Sequence, residues 1–334
     1  MTKEIQHRKR LRSMFSKLLS FLLFLGFLVS AGTIYSQCCS TGSPVGASVY
    51  VGVLNKNSLR FIAYYRHNYS DTYYQGKSKT TENLALNSSN YNFSGIAFGY
   101  GISKRLTLET DLGYFFNKTQ EFKNVDYAET GYGLSTGGVT VKYGAMVKPA
   151  KQFELTVGAG FRYPFSSDPQ VVDGVQLSRD VQPSTNAFAV SGMLFLNKGF
   201  PSLKMRLFSI NRFDHNYEDK LNYKYGDMLM NSVFVSKQIV KSFIGILQLR
   251  SEYRWEDADD EVKRPNTGNL LLILSPQLNY SLAKKWNLSL LCDIPVFKNY
   301  NGKQLTPSYS VALGLTRDFN LDRKPIMKVF NTIQ

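Results

Sequence analysis

In the stretch "RLTLETDLGYFFN", residues 105 to 117, Leu106, Leu108, Leu112, Tyr114 and Phe116 fall on one parity, and Thr107, Glu109, Asp111 and Gly113 on the other. Successive side chains of a strand point to opposite faces, so this alternation predicts a strand with one apolar and one polar face. "QFELTVGAGFRYPF" repeats it, with Phe153, Leu155, Val157, Ala159, Phe161 and Tyr163 against Glu154, Thr156, Gly158, Gly160 and Arg162. The same period runs near 58–70, 90–101, 135–148, 185–198, 202–213, 223–237, 242–255, 268–282, 285–297 and 306–319, which makes about twelve strands.

The connections alternate in length. "ISK", "KPAK", "NKGFPS", "QIVKS" and "AKK" are short. Those near 71–89, 117–134, 166–184, 214–222, 256–267 and 298–305 are long and rich in Asn, Asp, Ser, Lys and Tyr. Short turns on one side, long loops on the other and aromatic strand ends are the pattern of a transmembrane antiparallel up-and-down β-barrel. A soluble sandwich or lipocalin-like barrel also alternates, but it turns its apolar face inward. Here the parity opposite the apolar one carries Arg60, Arg66, Lys142, Arg162, Lys204, Arg206, Arg250 and Arg254 with Glu109, Asp111, Glu154, Glu252 and Asp293. Charges in the middles of so many strands suit a wet lumen, and the apolar parity then suits lipid. An open sheet would leave unpaired backbone groups in hydrocarbon, so closure is required. Pro276 and Pro295, inside expected strands, mark bulges or misplaced boundaries, because proline cannot donate to a ladder.

The first residues define the compartment. Arg8, Lys9, Arg10, Arg12 and Lys17 precede a 14-residue apolar run, Leu18 to Ala31, and a small, polar exit to Gln37. This is the pattern of a cleaved secretory signal peptide, too short for a bilayer that needs about 20 apolar residues. The expected organisation is a signal peptide at 1–37, an N-terminal periplasmic-side segment at 38–57, a barrel at 58–319 and a tail at 320–334. Of the formal charge of +15, the leader contributes +5, from six Lys or Arg against one Glu, which leaves +10 spread along the rest. A nucleic-acid partner would call for a clustered basic stripe, and none is visible. The expected contacts are outer-membrane lipid, a small solute and a possible periplasmic partner at the N-terminus.

The basic leader ending in "YSQ", the aromatic-ended strands and the closing strand "PSYSVALGLTRDF", with Tyr309, Val311, Leu313 and Leu315 alternating, together resemble outer-membrane barrels of Bacteroidota. More loosely, the chain is similar to the twelve-stranded channel families that include the phenol-degradation outer-membrane proteins and the long-chain fatty-acid transporters. The resemblance implies a location in the bacterial outer membrane and carries no substrate residue. It departs from the usual terminal aromatic, since fifteen residues follow Phe319.

Candidate chemistry is sparse. On the inward parity basic residues outnumber acidic ones eight to five, which would favour a weakly anion-preferring pore. An Arg/Glu lattice that plugs the lumen is the competing reading. "WEDADDE", 255–261, lacks the spaced ligands and Gly of a calcium loop and is expected to be a solvated loop. "GYGLSTGG", 131–138, precedes a strand and lacks a phosphate-loop lysine, so it is expected to be a loop and strand entry. His67 falls on the apolar parity and His215 in a loop beside Asp214, with no serine paired to either, so neither an enzyme nor a cofactor is expected. Cys292 falls on the parity of Trp286, Leu288, Leu290 and Ile294 and is not placed to reach Cys38 and Cys39. Tyr35 and Gln37 depart from a lipoprotein signal, so this adjacent pair is left as a redox or soft-metal candidate, or as an end without a role.

Overall fold

The computed structural model describes residues 52–82, 84–282 and 286–321. The expectations for the leader, for Cys38 and Cys39 and for the tail beyond residue 321 lie outside the described residues.

Eleven antiparallel strand elements close into a barrel: β1 (Ser58–Gly76), β2 (Leu86–Gly101), β3 (Leu106–Phe122), β4 (Gly137–Lys148), β5 (Phe153–Tyr163), β6 (Ala189–Phe200), β7 (Met205–Asn216), β8 (Met228–Val240), β9 (Phe243–Arg254), β10 (Asn269–Leu282) and β11 (Trp286–Asn320). Each pairs with its neighbour in chain order, and β11 pairs with β1 to complete the ring. Two further strands, Ser78–Lys79 and Ala128–Leu134, extend β1 and β3 beyond it. The count differs from the expected twelve because the last two expected strands, 285–297 and 306–319, lie in the single 35-residue element β11. Its Trp286–Tyr300 half pairs with β10 and its Tyr300–Asn320 half with β1. The segment 298–305, expected to be a long loop, is strand throughout and bends at Gly302, whose φ of 72° favours glycine.

The short turns follow from proline chemistry. Pro149–Lys151 and Pro201–Leu203 are single 3-10 turns that open on a proline, whose fixed φ and missing N–H cost nothing there. Each ends on a left-handed residue, Gln152 (φ 45°) or Lys204 (φ 50°), that sends the chain back up the wall. Lys204, expected to line the lumen, is therefore an exposed turn residue at the rim.

Burial is inverted relative to a soluble protein. Ile96, Phe98, Val141, Val157, Leu194, Val233, Leu247, Leu249, Leu290 and Ile294 are exposed on the outside. Arg60, Arg66, Thr107, Lys142, Thr156, Ser232, Gln248, Arg250, Ser275 and Asp293 are buried on the inside. Cys292, between the inward Leu291 and Asp293, keeps the outward parity of Leu290 and Ile294. The band has polar and aromatic edges. At the short-turn end Arg317 lies 4.7 Å from the Trp286 ring and 4.4 Å from Phe319. Towards the long-loop end Asn92 accepts from the Tyr65 hydroxyl (2.5 Å), contacts His67 Nδ1 (2.9 Å) and donates to Asn117 (2.6 Å). Such girdles suit the two membrane interfaces of a spanning barrel. Beyond the upper girdle β1 to β3 continue past the expected strand ends.

Two strand prolines sit at interruptions, whereas Pro276, expected to mark one, stays in register opposite Leu247. The pairing of β10 with β11 shifts register beside Pro295, and that of β11 with β1 shifts at Pro307.

Candidate functional site

Inward side chains meet in layers. Near the middle, Asp293 of β11 lies between two guanidiniums, with Arg66 Nη1 of β1 at 2.9 Å and Arg250 Nη2 of β9 at 3.1 Å. The Ser275 hydroxyl donates to its other oxygen, and Arg250 also meets Glu252 at 2.7 Å. A cavity of about 40 Å³ adjoins this waist, bordered by Tyr91, Leu271, Ile273, Pro295 and Pro307 as well. It has room for about three waters, taking roughly 12 Å³ of such space per molecule. Four of the expected lumen residues therefore form one cluster.

The remaining expected residues lie outside that cluster. Arg60 grips Asp318 with two parallel bonds, 2.7 and 2.8 Å, at the short-turn rim. Lys142 meets Glu109 at 2.5 Å, and Glu154 accepts bonds from Val53 N–H and the Thr156 hydroxyl, both at 2.7 Å. Asp111 faces Gly138, where an added Cβ would approach its carboxylate to 2.4 Å. Arg206 is half-buried at the base of β7. Arg162 and Arg254 line a second cavity, about 50 Å³, together with Thr136, Asp214, Asn216 and Tyr225.

Three long connections converge on the outer mouth. Val181 of the 164–188 connection is fully buried, and its carbonyl lies where a Cβ on Gly131 would stand. Arg179 pairs with Asp219 at 2.6 Å and lies 3.9 Å from the Tyr223 ring. Asp257, expected in a solvated loop, is instead fully buried: it accepts bonds from the Tyr223 hydroxyl and Gly226 N–H, both at 2.7 Å, and faces Arg254 at 3.5 Å. A buried carboxylate needs such partners, and here they tie one external connection to another. Beside it, burial pushes the Asp180 carboxyl up to about 7; Lys118 opposes the shift and Asp257 adds to it.

The sequence reading missed several lumen features. Met193, Phe195, Phe208, Ile210, Phe234, Ile244 and Ile246 form an apolar wall on the inner face of β6 to β9, with Phe208 stacked on Phe234 at 4.4 Å. Asp214 and Arg212, bonded at 2.8 Å, are strand residues inside β7, and so is His215, which pairs with Asp227 rather than lying in a loop. Lys118, which donates to the Gln182 carbonyl at 3.2 Å, also escaped notice. Among the described residues no group of three or more His, Cys, Asp or Glu side chains is arranged to hold a metal.

No protein-family model matches the sequence, and no curated protein matches it. Solved structures do. The COG4313 outer membrane channel from Pseudomonas putida F1 is similar over 81% of this chain and 99% of its own, with a TM-score of 0.65 and 13% identity. The NanC porin aligns over 78% and 98% at 10% identity, with a TM-score of 0.45. The translocator domain of the autotransporter NalP from Neisseria meningitidis aligns over 79% and 90% at 12% identity, with a TM-score of 0.44. The first of these likenesses bears on the fold. A closed antiparallel ring with lipid-compatible side chains outside and charges inside is a barrel of the bacterial outer-membrane type.

Proposed function

We propose that this chain is an outer-membrane channel for a small solute, weakly preferring anions and without catalytic activity. The observation that carries the channel reading is the charged waist, where Arg66 and Arg250 meet Asp293 and Glu252 inside a wall that is apolar towards lipid; the anion preference is supported by the excess of basic over acidic residues at the expected inward positions. Side-chain charges in a narrow passage set its ion preference. The Pseudomonas putida protein that this fold resembles is an outer membrane channel, which points the same way. We read β11 as two passes, which makes twelve in all. In a ring whose neighbours are all antiparallel, β1 and β10 run oppositely, and one direction of β11 cannot oppose both. The leader is read as the export signal of a bacterial, Bacteroidota-like precursor, with Cys38 and Cys39 left near the periplasmic face for a thiol, metal or protein contact.

A second reading, a non-conducting interaction barrel, is supported by the loops packed over the mouth and by the small size of the two cavities described. Planar bilayers discriminate. Stepwise conductance that Arg250→Ala and Arg254→Ala make less anion-selective supports the channel; silence in folded, heat-modifiable protein overturns it.

A further inference from the structure

Residues 52–57 do not lead into β1 from outside the ring. They lie along its inner wall at the short-turn end. Asn57 N–H donates to the Gly101 carbonyl (2.8 Å), Leu54 N–H to the Thr107 hydroxyl (2.8 Å) and Val53 N–H to Glu154 Oε1 (2.7 Å). These partners start or end β2, β3 and β5 at the rim, so six residues pass four neighbouring strands of the wall. The wall is hollowed to receive them. A Cβ on Gly101 would stand 1.9 Å from the Asn55 carbonyl oxygen, on Gly99 3.1 Å from Leu54 Cδ1, and on Gly144 3.2 Å from Val53 Cγ2. Leu54, an apolar residue inside a polar lumen, is only 6% exposed.

We propose that Gly52–Asn57 is a strap that narrows the periplasmic exit of the lumen, and that Glu154 is the latch that sets the exit's width. A charged acceptor holds a backbone N–H more firmly than a neutral one. Glu154 is preloaded for the task, because the Thr156 hydroxyl donates to the same Oε1 and fixes the carboxylate's orientation. Thr107 is the weaker, neutral second hold, and the Gly101 contact is the hinge next to β1. Anything that competes for the Glu154 carboxylate from the periplasmic side, a cation or a basic peptide segment, would loosen the strap.

The narrowing role rests on the channel reading; the strap and its latch do not, and two readouts keep them apart. In full-length protein whose native cysteines are serines, Val53→Cys is labelled with a bulky, membrane-impermeant maleimide. Labelling should be slow with Glu154 and only modestly faster with Glu154→Gln, which keeps an acceptor oxygen but loses the charge. It should be roughly ten-fold faster in Glu154→Ala and in Glu154→Ala/Thr107→Val, from the loss of the acceptor altogether. Equal rates in all four folded proteins overturn the strap. In bilayers, conductance of the same variants should rise more with the alanine than with the glutamine, although both remove the charge. Equal rises would assign the effect to charge and overturn the latch. A silent parent protein sinks the channel reading alone and leaves the labelling result to decide the strap.

Discussion

Removing the charge of Asp293 is the sharpest perturbation of the waist. Its carboxylate neutralises two guanidiniums at 2.9 and 3.1 Å and also accepts the Ser275 hydroxyl. Hydrogen bonds to charged groups contribute about 1.5–3 kcal/mol each, and breaking a buried pair typically costs about 3–5 kcal/mol. The cavity beside the site admits a few waters that would rehydrate the orphaned guanidiniums, so Asp293→Asn should cost about 3 kcal/mol, the low end. Urea unfolding in detergent, followed by the fluorescence of Trp255 and Trp286, measures this. The second arm is electrical. One added positive charge about 4 Å from a passing ion lowers an anion's energy and raises a cation's by about 1 kcal/mol each in a water-like medium, roughly five-fold for each and about thirty-fold for anion over cation permeability. Adding Arg66→Gln should restore part of the stability, because Arg250 keeps Glu252. A loss below about 0.5 kcal/mol with unchanged selectivity would mean that Asp293 does not organise the waist.

Other outcomes follow from the same geometry. The raised Asp180 carboxyl, at about 7 against an ordinary value near 4, favours the packed loops when protonated. The mouth should be tightest near pH 4, loosen as pH climbs towards 7 and level off above; hydrogen exchange over 176–184, corrected for intrinsic rates, should show this slope and Asp180→Asn should flatten it. Leu249→Arg, on the lipid face of β9, should cost about 2–4 kcal/mol, again by urea unfolding. Phe208→Ala, which strips the stacked partner from Phe234 in the inner apolar wall, should cost about 3 kcal/mol in the same assay.

The strands were legible because lipid and lumen impose opposite preferences on alternate positions. That is why the inward parity of Arg60, Arg66, Arg250 and Asp293 could be read without coordinates. Where both environments are wet the contrast disappears, so the continuations of β1 and β3 above the membrane read as loops. Lys204 kept the right parity and was still misassigned, because the turn that Pro201 opens runs on to Lys204 and the strand starts at Met205 rather than at residue 202. On β6 and β7 both faces are apolar in places, which hid the Phe195 and Phe208 wall. Partner choice was out of reach: Arg66 finds Asp293 across 227 positions through the closing register, and no local pattern encodes that. The strap has no periodicity at all.

The closing seam also bears on how the chain could be rewired. Ser58 pairs with Asn320, and Leu321 N–H donates to the Asn57 carbonyl at 2.9 Å, so the two ends of the barrel wall are direct neighbours. A short linker could join residue 321 to residue 57 without crossing the lumen, and new ends could be cut at the Pro149–Lys151 turn. Such a circular permutant would keep every pairing of the ring, because the linker joins ends that are already neighbours and the cut falls in a turn between two strands. The order of strands along the polypeptide is then separable from the order of strands around the wall.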